Sequence, residues 1–155
     1  MNSRIICIGN RFLEMDSSGP AVFELLSQRP LPDGIEVIQG GLAGLDLLPF
    51  LEQGGRVVFV DSVRGFAQPD QVVVLKQEDI VPESGVSYYG HGGGLTYLLG
   101  VLPLVCEGTL PEEIILVGLE GKCSWETVNQ AADLSLSLAL PASCKFQPIA
   151  PWNKS

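Results

Sequence analysis

Apolar and polar positions along this chain follow two periods that alternate. Arg4 to Ile8 is a short apolar run stopped by Gly9-Asn10, the pattern of a strand buried on both faces. Ser18-Gly-Pro-Ala then opens a helix, with Ser18 as expected N-cap, Pro20 in the first turn and Val22, Leu25 and Leu26 as the apolar stripe. Pro30, Pro32 and Gly34 break the chain before a second strand at Ile35 to Ile38. Gly40-Gly-Leu-Ala-Gly leads into an expected helix from about Ala43 to Gln53, with Leu45, Leu48 and Leu51 on one face and Gly54-Gly55 as its stop. Arg56 to Val60 is a third strand, ending at Asp61. This β-α-β-α-β order predicts parallel pairing with right-handed crossovers.

The pattern then changes. About ten residues separate Asp61 from Val72-Val-Val-Leu75, too few for a crossover, so the fourth strand is expected to be antiparallel. Residues 76–90 read as a polar loop. His91-Gly-Gly-Gly precedes a helix from Leu95 to Val105, interrupted or ended near Pro103. Ile114 to Val117 is a fifth strand and Gly118 to Lys122 a loop, and Ser124 caps a last helix running to about Leu140. The predicted fold is one three-layer α/β/α domain over residues 1–145. Its five-stranded twisted sheet is mostly parallel, helices cover both faces, and residues 146–155 form a loose tail.

Composition narrows the function. Of 155 residues, 46% are apolar and 17% charged, which fits a buried core and excludes a disordered chain. The formal net charge of −9 repels nucleic acid and anionic membranes, so neither is an expected partner. No run of 18 apolar residues and no signal peptide is visible. The four cysteines form no CxxC pair. The expectation is a cytoplasmic monomer with reduced thiols.

In an open α/β sheet the working crevice lies beyond the carboxyl ends of the strands. Asp16 follows the first strand and Asp61 ends the third, so neighbouring strands would bring both acids to one edge. His91 joins them if the preceding loop folds back. Two carboxylates and an imidazole make an open divalent-metal site suited to zinc, nickel, iron or cadmium. Each residue also has a plainer reading: Asp16 as an acid near a helix N-terminus, Asp61 as a turn former, His91 as a hydrogen-bonded surface residue. The GGLAG stretch at 40–44 lacks the Lys-Ser/Thr of a P-loop and the GxGxxG spacing, and reads as a tight strand-to-helix turn. No GxSxG elbow is present, and Cys7 sits in a buried strand, a poor place for a nucleophile.

Taken in order, these motifs resemble the hydrogenase maturation endopeptidases. Gly9-Asn10, Met15-Asp16 and Gly19 match the family's first loop, Gly40-Gly41-Leu42-Ala43-Gly44 its GG turn, and Asp61-Ser-Val-Arg-Gly65 the end of its third strand. His91 with the helix after it, the strand IILVGLE and a last helix opening on Ser complete the match. The resemblance implies an endopeptidase that removes the C-terminal extension of a nickel-iron hydrogenase large-subunit precursor once nickel is installed. It implies Asp16, Asp61 and His91 as the catalytic, metal-associated residues. Gln39, Gly40, Gly41 and Leu42 would meet the substrate. Nickel would be supplied by the precursor, and zinc or cadmium would substitute for it. Met15 stands where the family usually has an acid, and Gln39 where it usually has Asp. These departures keep open a non-catalytic module that binds the metal or the precursor. A small metal-dependent amidase on the same fold is a third reading.

Overall fold

The computed structural model describes residues 2–80 and 94–141. The expected architecture is present. Strands β1 (Ser3–Ile8), β2 (Ile35–Gly41), β3 (Arg56–Val63), β4 (Val72–Lys76) and β5 (Glu113–Glu120) form one sheet in the order β2-β1-β3-β5-β4. The β1–β2, β1–β3 and β3–β5 pairs are parallel, and β4 runs antiparallel to β5. Helices α1 (Ser18–Ser27), α2 (Gln77–Ile80), α3 (Gly94–Val105) and α4 (Trp125–Ala139) complete the chain with two 3-10 segments, Glu14–Asp16 and Leu45–Leu51.

Alternation along the central strands divides the core between the two faces of the sheet. Ile6, Ile8, Val57, Phe59 and Val63 pack with Leu47, Leu51, Leu95, Leu98, Leu99 and Leu102, under the 3-10 helix and α3. Ile5, Cys7, Val58, Val60, Val117 and Leu119 pack with Val22 and Leu26 of α1 and Val128, Ala131 and Ala132 of α4. A strand buried on both faces needs apolar residues at successive positions, which is why β1 and β3 read as unbroken apolar runs.

Several local expectations are corrected. The segment expected as a helix from Ala43 to Gln53 is the shorter 3-10 helix Leu45–Leu51, with Pro49 inside it. Proline removes an amide and crowds the preceding turn, which disfavours an α-helix around Pro49, whereas α3 runs two residues past Pro103 and ends only there. Leu45 is exposed, and Leu47 and Leu51 are the buried anchors. Ser18 is not the cap of α1 but lies inside it; Ser17 occupies the cap position without a side-chain cap bond, and its hydroxyl donates to the Glu14 carbonyl at 3.1 Å. Ser124 does cap α4, its oxygen accepting from the Thr127 amide at 3.3 Å. Gln77–Ile80 is a short helix where a loop was expected. Gly118 to Glu120, also expected as loop, continue β5 opposite Asp61, Ser62 and Val63. Likewise Asp61 does not end β3 but lies inside it, two residues short of Val63.

Candidate functional site

The carboxyl edge of the sheet is shaped by a few glycines and one asparagine. After Ile8 the chain turns at Gly9, whose φ is +144°; a Cβ there would lie 2.4 Å from the Asp16 carbonyl oxygen. The Asn10 amide donates both to the Asp16 carbonyl, at 2.9 Å, and to its carboxylate Oδ2, at 3.0 Å. The Asn10 side chain accepts from the Phe12 amide at 2.9 Å, an Asx turn that folds the loop onto itself. The Leu13 carbonyl accepts from the Asp16 amide at 2.8 Å and closes the 3-10 turn. Gly19 lets α1 begin against the end of β1, since a Cβ there would sit 1.9 Å from the Ile8 carbonyl oxygen. The spacing Gly9-Asn10…Asp16…Gly19 is therefore a device for folding an aspartate back over the strand it follows. Asp16 is buried.

Asp61 enters from β3, the strand beside β1, and is 1% exposed. Alternation puts it on the same face as Phe59 and Val63. Burial pushes its carboxyl well above the usual carboxylate range. The Ser62 amide, donating to its Oδ1 at 2.7 Å, works against that shift, and the nearby charge of Asp16 adds to it. The structure thus brings the two acids into one buried environment at the carboxyl edge. His91 lies outside the described residues. Among the described residues no group of three or more His, Cys, Asp or Glu is placed to hold a metal ion.

The GG turn sits at the same edge, on the outermost strand. The β1–β2 register shifts there, with Cys7 opposite Gln39 and Ile8 opposite Gly41, so Gly40 is the extra residue of a bulge. A Cβ at Gly40 would lie 2.7 Å from Ile6 Cγ2, and Gly41 has a φ of +57°. The Gly41 carbonyl accepts from the Gly9 amide at 2.9 Å, which ties this turn to the loop carrying Asp16. Gln39 and Leu42 are exposed beside it.

One residue important to the rim was missed from sequence. Glu120, at the end of β5, accepts from the amides of Gly65, Phe66 and Ala67 at 2.8, 3.0 and 3.0 Å and so fixes the loop leaving β3. Its partners are more than fifty positions away, and no local pattern marks them. Cys7 is buried in β1, and burial raises its thiol pKa, so it is a core residue as expected.

A mostly parallel sheet with one reversed edge strand, and a buried acid pair at its carboxyl edge, defines a small α/β protein. The family model described as hydrogenase maturation protease matches residues 20–134, and the chain belongs to that family. The chain is 27% identical to the hydrogenase 2 maturation protease of Escherichia coli (strain K12) over 121 residues, covering 77% of this chain and 73% of the relative. It is 24% identical to the hydrogenase expression/formation protein HoxM of Azotobacter vinelandii, over 95% of this chain and 68% of that one. The fold is similar to the hydrogenase maturating endopeptidase HybD from E. coli, with a TM-score of 0.71, 25% identity and 90% of each chain covered. A solution structure of an endopeptidase from E. coli gives a TM-score of 0.74 at 26% identity, covering 94% of this chain and 95% of that one. Among the described residues no helix is long and apolar enough to cross a membrane.

Proposed function

We propose that this protein is an endopeptidase that removes the C-terminal extension of a nickel-iron hydrogenase large-subunit precursor after nickel insertion. The observation that carries this reading is the buried pair Asp16 and Asp61, held at the carboxyl edge by the Gly9-Asn10 loop in a member of the maturation protease family.

The donor set fits a divalent cation delivered by the substrate. Both carboxylates are buried, and the charge of Asp16 disfavours that of Asp61. A cation relieves that repulsion. Asp16 and Asp61, joined by His91 on the strength of the sequence, would ligate the nickel of the precursor; zinc or cadmium would replace it in vitro. Three protein ligands leave positions for groups the precursor brings. Such an ion polarises a scissile carbonyl or lowers the pKa of a water. The chain's own part is to hold both carboxylates in place, through the Asn10 and Ser62 amides, and to bury them. Gln39, Gly40 and Gly41 end the edge strand β2 and Leu42 follows them, where an extended segment of the precursor can lie alongside β2.

The test mixes the protein with precursor prepared with and without nickel and follows the size of the large subunit. Cleavage of the nickel-loaded form alone supports the reading. Equal cleavage of both forms rejects substrate-borne metal and indicates a self-sufficient protease. Binding without cleavage, with the true precursor, assigns the chain to the non-catalytic maturation module instead.

A further inference from the structure

Cations are scarce in this chain and, among the described residues, most are already engaged. Arg29 pairs with Asp133 at 2.8 Å, Arg56 with Glu113 at 2.8 Å and Lys122 with Glu14 at 2.6 Å. Arg4 is buried and donates to the Gly54 carbonyl. Three exposed cations make no ion pair among the described residues: Arg11, Arg64 and Lys76. Lys76 ends β4, and because that strand is antiparallel it lies at the amino edge of the sheet. Arg11 and Arg64 are at the carboxyl edge.

Their places follow from the fold. Arg11 is next to Asn10, whose amide holds Asp16. Arg64 follows the last residue of β3 and precedes Gly65, whose amide is fixed by Glu120. Since β1 and β3 are parallel neighbours, Arg11, in the loop after β1, and Arg64, directly after β3, leave the sheet at the same carboxyl edge as the acid pair. Apolar side chains share this edge: Phe12, Leu13, Met15 and Leu42 are 86%, 56%, 46% and 64% exposed. Large apolar residues collected beside a candidate site, with two arginines that make no ion pair among the described residues, make a surface for a segment that is apolar and acidic. Elsewhere a net charge of −9 repels such a segment.

We propose that Arg11 and Arg64 form a cationic rim that binds acidic side chains on the stretch of precursor presented for cleavage, with Phe12, Leu13, Met15 and Leu42 covering its apolar side chains. This rests on the endopeptidase reading and names the chemistry of the segment that the site takes. The guanidinium groups position the peptide by ion pairing and take no part in bond breaking.

The test compares the wild-type protein with the double variant Arg11→Glu, Arg64→Glu on the nickel-loaded large-subunit precursor encoded in the same genome. KM is expected to rise about tenfold with kcat nearly unchanged, and the dependence of KM on salt to weaken. A precursor whose acids near the cleaved bond are changed to lysine should restore KM for the double variant and impair it for the wild type. Equal thermal melts show that the variant is folded, as expected for exposed positions. If the wild type cuts and the double variant cuts with the same KM, this inference is overturned and the endopeptidase reading stands. A precursor with no Asp or Glu near the cleaved bond also overturns it. If the wild type binds without cutting, the endopeptidase reading falls and the same comparison made on Kd by calorimetry decides the arginine rim. If the wild type neither binds nor cuts, both fall together.

Discussion

Asp16 and Asp61 are coupled: the charge on Asp16, held over the end of β1, makes it harder to ionise Asp61 within β3. A charged carboxylate beside a buried carboxyl raises that carboxyl's affinity for a proton, or for a metal ion in its stead. Asp16→Asn removes the charge and keeps an oxygen for the Asn10 amide. The Asp61 carboxyl should then titrate lower than in the wild type but still above the ordinary range, because burial, the larger cause, remains. Carbon-detected NMR of the carboxyl groups measures this. The same variant should lose processing by about a hundredfold or more while keeping its fold, as happens when one preorganised charge at a reacting centre is removed.

Asp61 also sets a pH dependence of stability. Its folded pKa lies above its unfolded value, so the native state binds this proton more tightly. The contribution to stability is favourable at low pH. It declines as pH rises from the ordinary carboxylate value of about 3.9 toward the folded value, and stays reduced above it. Asp61→Asn, which cannot ionise, should therefore be more stable than the wild type in urea at pH 7, and the gap should close as pH falls below about 4. A gap independent of pH would show that packing, not charge, accounts for the change.

Gly19 and Gly100 should respond in opposite directions to alanine. At Gly19 the new Cβ would meet the backbone carbonyl of Ile8, which cannot move without displacing β1, and Gly19→Ala should cost about 3 kcal/mol. At Gly100, inside α3, a Cβ meets nothing within 4 Å. Gly100→Ala should stabilise by about 0.5–1 kcal/mol through the unfolded chain. Paired denaturant melts check both.

Glu120→Ala would strip three amides of their acceptor. A loss of about 1–3 kcal/mol is expected, the range for losing part-buried hydrogen bonds to a charged acceptor. Hydrogen exchange at Phe66 and Ala67 should speed up more than at the β3 amides, since the contact is local to the loop.

The parallel order of the sheet, the reversed fourth strand and the two acids were legible because each leaves a mark over short sequence distances. Unbroken apolar runs give β1 and β3, and a ten-residue gap forbids a parallel crossover before β4. Asp16 stands out because a loop longer than a turn requires must be folded over something. The 3-10 helix reads as an α-helix by its apolar stripe, although Leu45, Leu48 and Leu51 repeat every three residues, the period of a 3-10 helix, and Pro49 interrupts it. Ser17 and Ser18 are adjacent and chemically alike, so only the position of Gly19 against Ile8 fixes which of them begins the helix. Glu120 could not be found locally, because its role is defined by the way β5 brings it to the far side of β3.

The reversal of β4 settles where variation can accumulate. A parallel strand would have drawn the chain after β3 down across the sheet to start again at the opposite edge. An antiparallel one starts where β3 stops, so residues 64–71 stay beside the acids as a short wall clamped by one glutamate. Changes in the length or charge of that wall can be absorbed without moving a strand.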